Sequence, residues 1–185
     1  MTWLKCLLLP LYSSKLMKIF TFAFLLFAFL SGNLLAQDMT IILVRHAEKD
    51  ASPTMNRFDP VLSPEGRQRA VKLFETVKSY KPQQIFSTNL LRTRLTVDSL
   101  ATNLNEKFRI FVEAYNPSEL EAFANKLLAI QTKCILVVGH SNTTPKLANL
   151  LLKQEKYQDL PETEYRKIFI IRIKGKKITD EVIEY

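Results

Sequence analysis

From residue 40 onward, short apolar runs alternate with amphipathic helical segments, and the joints between them are brief. The first run, "IILV" at 41–44, is rich in β-branched residues and leads directly into Arg45 and His46. "SPEGRQRAVKLFETVKSY" (63–80) reads as a helix, with Ser63 as its cap, Pro64 in the first turn, and Ala70, Leu73, Phe74 and Val77 at helical spacing. "QQIFST" (83–88) is a second strand and "LLRTRLTVDSLATNL" (90–104) a second helix, and "FRIFV" (108–112) makes a third strand. The next helix is expected to start at Asn116, with Pro117 first and Glu119 three past the cap. Leu120, Phe123, Ala124, Leu127 and Leu128 form its buried face. "CILVVGH" (134–140) is apolar on both faces and belongs at the centre of a sheet, and "TPKLANLLL" (144–152) returns to helix. The end of the chain is an antiparallel pair that turns near Gly175, so "KGKK" (174–177) is a hairpin tip rather than a binding patch.

Strands separated by helices predict a three-layer α/β domain: a mostly parallel central sheet, helices on both faces, and a C-terminal antiparallel pair. Ligands of such sheets sit beyond the carboxyl ends of the strands. Arg45 and His46 occupy that edge on the first strand, Ser87 and Thr88 on the second, and His140 on the most apolar one. Arg92 follows one helical turn after the second.

Residues 1–36 do not fit the alternation. They hold Lys5, Lys15 and Lys18 and no acid, then the twelve-residue apolar run "IFTFAFLLFAFL" at 19–30, broken only by Thr21, then "SGNLLA". Twelve residues fall short of the roughly 20 that a membrane-spanning helix needs. The pattern is that of a secretory signal peptide starting at Met17 and cleaved after Ala36, with domain 37–185 to follow. The competing reading is a retained anchor that uses Leu34 and Leu35, but Ser31, Gly32 and Asn33 interrupt that extension. No stable membrane span is expected after cleavage, and the protein would be exported, to the periplasm or beyond.

Removing 36 of the 185 residues leaves 149, enough for one core. The whole chain carries +8, and losing three lysines leaves +5. That suits an anionic substrate. It does not indicate nucleic acid, because basic and aromatic residues do not interleave along a stripe. Only Cys134 survives processing, so no internal disulfide is expected, and the sequence does not give the oligomeric state.

The chain has two histidines, His46 and His140, and both fall at one edge of the inferred sheet. One histidine at a strand end is usually a core residue satisfied by backbone. Two at equivalent ends, one beside an arginine, point to chemistry. A metal site would want further His, Cys or clustered carboxylates at ligand spacing, and the sequence offers none; no cofactor is expected. A "GxxxxGK[ST]" phosphate loop and a "GxSxG" elbow are absent, and six residues after Cys134 stands His140 rather than the arginine of a cysteine-phosphatase loop.

"VRHAEK" (44–49), "LSPEGRQRA" (62–70), "STNLLRTRLT" (87–96) and "VVGHSNTTP" (137–145) together resemble the histidine phosphatase, or phosphoglycerate mutase-like, superfamily over residues 40–153. The resemblance implies metal-independent hydrolysis of a small phosphorylated substrate through a phosphohistidine. His46 would be the nucleophile, with Arg45, Arg92 and His140 binding the phosphoryl oxygens and Ser141 and Asn142 adding backbone N–H groups. Such catalysis rests on positioning and on cationic stabilisation of the transferring group. The same cations should lower the pKa of His46. Glu113, 21 residues after Arg92, is the implied proton donor, although "EAYNPSEL" lacks the flanking residues of the mutases. Glu48 is its rival, and some phosphohistidine-specific relatives manage without an acid. Arg94, Asn56 and Arg57 read as surface or loop residues. Three other readings stay open: a phosphohistidine phosphatase acting on proteins, a phosphatase of envelope sugars, and a silent anion-binding domain.

Overall fold

An entirely apolar strand needs cover on both faces, and the fold supplies it. The computed structural model describes residues 38–52, 56–103 and 112–185. The segment read as a leader lies outside the described residues, and so do 108–111 of the third predicted strand. The strands are β1 Met39–Arg45, β2 Gln84–Ser87, β3 Val112–Ala114, β4 Cys134–Gly139, β5 Lys167–Lys174 and β6 Lys177–Glu184. The helices are α1 Pro64–Val77, α2 Leu91–Asn103, α3 Leu120–Ala129 and α4 Thr143–Leu152.

The sheet order is β3-β2-β4-β1-β5-β6. The first four strands are mutually parallel, and β5 and β6 are antiparallel additions beyond β1. The C-terminal pair turns at Gly175, whose φ of 60° suits a residue without a Cβ. Because strand side chains alternate, the core divides by parity. Ile41, Leu43, Ile135, Val137, Phe169 and Ile171 pack under α3 and α4, with Phe123, Leu127, Leu147 and Leu151. Ile42, Val44, Leu136, Val138, Ile168 and Ile170 pack under α1 and α2, with Leu73, Val77, Val97 and Leu100. Each fully buried aliphatic side chain contributes about 2 kcal/mol, so β1 and β4 are the most firmly held strands. Their carboxyl ends are rigid mounts.

Ser63 caps α1 as its sequence predicts, its hydroxyl accepting from the Gly66 N–H at 3.1 Å. The third helix departs from expectation. It starts at Leu120, not after Asn116. The Asn116 carboxamide instead accepts from the Ser118 N–H at 3.0 Å, closing a turn before the helix begins.

Between α4 and β5 the chain forms a strap, residues 153–166, that passes over the carboxyl ends of β1 and β4. Asn149, buried on α4, holds its first part with both ends of the carboxamide. Nδ2 donates to the Tyr157 carbonyl at 2.8 Å and to Glu155 at 3.1 Å, while Oδ1 accepts from the N–H groups of Lys156 and Tyr157 at 3.1 and 2.9 Å. Among the described residues no helix is long and apolar enough to cross a membrane.

Candidate active site

The register of the sheet assembles the site. Arg45 lies opposite Gly139, and the His46 N–H donates to the Gly139 carbonyl at 2.9 Å, so His46 and His140 leave adjacent strand ends together. Ser87 is level with Val138 on the other side of β4, which sets Thr88 beside His140. Gly139 has no room for a side chain. A Cβ there would stand 2.8 Å from the hydroxyls of Thr143 and Tyr115 and 2.9 Å from that of Thr144. That crowding lets α4 begin close to the strand end.

The two rings meet edge to face, centroids 5.4 Å apart. His46 is only 4% exposed, so it is a buried group as well as a strand-end one. Its Nδ1 lies 2.7 Å from the Ala47 carbonyl. A carbonyl only accepts, so Nδ1 carries the proton and Nε2 keeps its lone pair. The ring's pKa falls to about 3, and burial is the largest cause. The Ala47 carbonyl opposes the shift, while His140, Arg92 and Arg45 add to it. The sequence anticipates the cationic contribution, but desolvation outweighs it.

His140 is fixed by threonines. Its Nε2 lies 3.0 Å from the Thr88 hydroxyl, which lies 3.0 Å from the Thr93 hydroxyl. Thr93 in turn reaches the carbonyls of Thr88 and Leu90 at 2.9 and 2.8 Å. Thr93 must donate to a carbonyl, so Thr88 donates to Thr93 and accepts from Nε2–H of His140. Nδ1 is then the nitrogen left for an incoming anion. The pKa of His140 is lowered to about 4, first by burial and then by Arg92 and Arg45. A bound dianion reverses the sign of the local charge and favours the imidazolium.

The arginines differ. Arg92 is half-buried near the start of α2, and its guanidinium has no hydrogen-bond partner among the described residues. Desolvation lowers its pKa, Asp59 opposes the shift, and Arg45 adds to it. Asp59 also accepts from the Leu91 N–H at 2.7 Å, which ties the 56–59 loop to the first turn of that helix. Arg45 is 2% exposed and already engaged. Its Nη1 donates to the carbonyls of Pro161, Glu164 and Glu162 at 2.8, 3.0 and 3.2 Å. Nη2 meets Glu162 Oε2 at 3.0 Å and the Tyr165 hydroxyl at 3.4 Å, and the guanidinium lies 4.0 Å from the Tyr165 ring centroid. Only Nε is left without a partner. Arg45 therefore holds the strap as well as facing the site.

Neither predicted carboxylate is brought to His46. Glu113 lies within β3, at the sheet edge, and pairs with Lys126. Two strands separate it from β1, or about 14 Å at ordinary strand spacing. Glu48 is close in sequence, but both its oxygens accept from Arg69 Nε, at 2.7 and 2.8 Å. It pins the loop after β1 to α1, where Gly66 packs so tightly that a Cβ would stand 2.1 Å from the Glu48 carbonyl. Ser141 and Asn142 precede the first turn of α4, and Asn142 makes no side-chain cap. Within that turn the Thr144 and Lys146 N–H groups already donate to the His140 and Asn142 carbonyls, at 3.1 and 3.3 Å, and Pro145 has none, so the N–H groups left beside His140 for an anion are those just before the turn. Arg94 and Arg57 are exposed. Asn56 closes its own loop by accepting from the Phe58 N–H at 3.0 Å. Burial raises the Cys134 thiol to about 12, which leaves it inert.

Sequence reading missed Glu162 and Tyr165, which sit more than 100 residues from Arg45 with no spacing rule to link them. It also passed over Thr93 and Asn149. Thr88 was visible as a strand-end residue, but not as the partner of His140.

The model of the histidine phosphatase superfamily (branch 1) matches residues 41–113, which include Arg45, His46 and Arg92. No curated protein gives a match. Among solved structures, a protein assigned as the phosphohistidine phosphatase SixA of Agrobacterium tumefaciens aligns at 16% identity and TM-score 0.60. The match covers 80% of this chain and 99% of the other. The protein histidine phosphatase SixA complexed with tungstate aligns at 14% and 0.62, covering 79% and 97%. A protein assigned as an alpha-ribazole-5'-P phosphatase of Escherichia coli aligns at 15% and 0.57, covering 80% and 96%. At these identities the structures speak for the fold, while the family model covers the segment that carries the first histidine and both arginines. The chain is thus similar to the histidine phosphatase superfamily over residues 41–113 and shares the fold of these phosphatase structures.

Proposed function

We propose that the protein is an exported, metal-independent phosphatase that hydrolyses small phosphomonoesters through a phosphohistidine on His46. One observation carries the reading: His46 is held as the Nε2 lone-pair tautomer at the meeting point of Arg45, Arg92 and His140. Nε2 attacks phosphorus and the ester oxygen leaves. Arg92, the Nε edge of Arg45, His140 and the N–H groups at Ser141 and Asn142 take up the charge on the equatorial oxygens. Water then cleaves the P–N bond and restores the imidazole. Each such donor is worth about 100- to 1,000-fold in rate.

Metal independence rests on the same arrangement: a neutral imidazole supplies the nucleophile, and the arginines and His140 supply the charge. Export rests on the basic, apolar and small-residue order of residues 1–36.

A second reading, dephosphorylation of phosphohistidine on a protein, is favoured by an exposed apolar pair beside Arg92. Phe58 is 92% and Leu91 42% exposed, and the Asp59 contact holds them on one side of the mouth. One aligned structure is assigned as a phosphohistidine phosphatase and another is named a protein histidine phosphatase. A panel of small phosphate esters and a phosphohistidine-bearing protein, each assayed with excess chelator, separates the readings. Small-ester turnover well above protein turnover supports the first. No turnover of either class sinks both.

A further inference from the structure

Arg45 dictates where an anion can approach. Its Nη1 is surrounded by three carbonyls and its face is covered by Tyr165. Nε is buried and without a partner, in a side chain 2% exposed. The edge left for a phosphoryl group is the one running from Nε to Nη2. Glu162 stands at that edge. Its Oε2 accepts from Nη2 at 3.0 Å, and its Oε1 accepts from the Ser141 hydroxyl at 3.4 Å. The carboxylate thus bridges the residue before His46 and the residue after His140.

The backbone beneath it is anchored. The Leu160 N–H donates to the Ser141 carbonyl at 2.9 Å, and Arg45 grips the carbonyls of Pro161, Glu162 and Glu164. The Glu162 side chain itself is 74% exposed, so it exchanges protons freely with water. Glu48 is mostly buried against Arg69, and Glu113, although exposed, lies at the far edge of the sheet on β3.

We propose that Glu162 is the proton donor of the reaction, an assignment that rests on the His46 mechanism above. A phosphoryl group on the Nε–Nη2 edge lies beside the Glu162 carboxyl, within reach of the departing oxygen. The proton comes from solvent or arrives with a monoanionic ester. In the first step the Nε2 lone pair forms the P–N bond, the P–O bond breaks, and the departing oxygen takes the proton from Glu162. In the second step the Glu162 carboxylate takes a proton from the attacking water, the P–O bond forms, and the P–N bond breaks. His46 leaves with its lone pair, and Glu162 is again the acid.

The test compares Glu162→Gln and Glu162→Asp with the unaltered protein on an alkyl phosphate and on 4-nitrophenyl phosphate. An alkoxide leaves badly without a proton, whereas a nitrophenolate leaves well unaided. Glu162→Gln should lower kcat/KM on the alkyl ester about 100- to 10,000-fold and leave the aryl ester within a few-fold. The alkaline limb of the alkyl pH profile should vanish in Glu162→Gln and return in Glu162→Asp. Equal loss on both esters would reduce Glu162 to a support for Arg45. A lower KM on both with unchanged kcat would make it a competing anion. Unchanged kinetics would remove any role. Each of these overturns the assignment while the unaltered protein still turns over. If the unaltered protein hydrolyses neither ester, the phosphatase reading fails and takes this one with it.

Discussion

His46 and His140 stand edge to face at 5.4 Å on adjacent parallel strands, each with one nitrogen already committed. Nδ1 of His46 is held by the Ala47 carbonyl and Nε2 of His140 by the Thr88 hydroxyl. The fold therefore fixes the roles of both rings before any substrate arrives.

The pH dependence follows from burial. Both histidines have folded pKa values, about 3 and about 4, below the ordinary 6.5. As pH falls below 6.5 the unfolded chain takes up protons that the folded chain refuses. Stability is therefore full above 6.5 and declines down to about 3. Urea midpoints at pH 7.5, 6 and 5 should decrease in that order, and replacing His46 with Asn should flatten the decline. A midpoint that rises towards pH 5 would contradict the buried neutral state. The free enzyme's kcat/KM should likewise show no nucleophile ionisation near 6.5.

Arg45 and Arg92 should separate stability from catalysis. Arg45→Lys removes donors from three partly buried carbonyls and should cost on the order of 3 kcal/mol, read as a lower urea midpoint. Arg92→Lys should leave stability within about 1 kcal/mol and lower kcat/KM about 100-fold, because among the described residues the Arg92 guanidinium has no hydrogen-bond partner to lose. The reverse pattern would mean that their places in the site have been exchanged.

Glu113→Gln should be silent on alkyl and aryl phosphates alike, because it breaks only a surface pair with Lys126. Glu48→Gln loosens the loop after β1 from Arg69, and should slow both ester types by similar factors. Selective slowing of alkyl esters by either variant would return the proton-donor role to that residue.

Much of this was legible in the sequence. β1, β2 and β4 announce themselves as β-branched runs, and the cap at Ser63 is a local signal that nothing overrode. Arg45, His46, Arg92 and His140 are readable because strand ends and first helical turns set their positions. What the sequence hid depends on contacts between distant segments. The Asn116 cap gave way to a tighter turn. Glu113 satisfied a spacing rule yet faces Lys126. The strap that presents Glu162 and Tyr165 to Arg45 has no periodicity, and its anchor at Asn149 looks like any helical asparagine.

Export has its own check. Mass spectrometry of the protein from the native cell envelope should find Gln37, open or cyclised, as the first residue. Residues 19–30 intact in a membrane fraction would favour the anchor instead.

The most direct test of the mechanism is acid-free quenching of the enzyme during turnover of a ³²P-labelled ester, followed by peptide mapping at alkaline pH. The account predicts base-stable, acid-labile label on His46 alone, and no label or turnover in His46→Asn. Label on another residue, or steady turnover by His46→Asn, would contradict it.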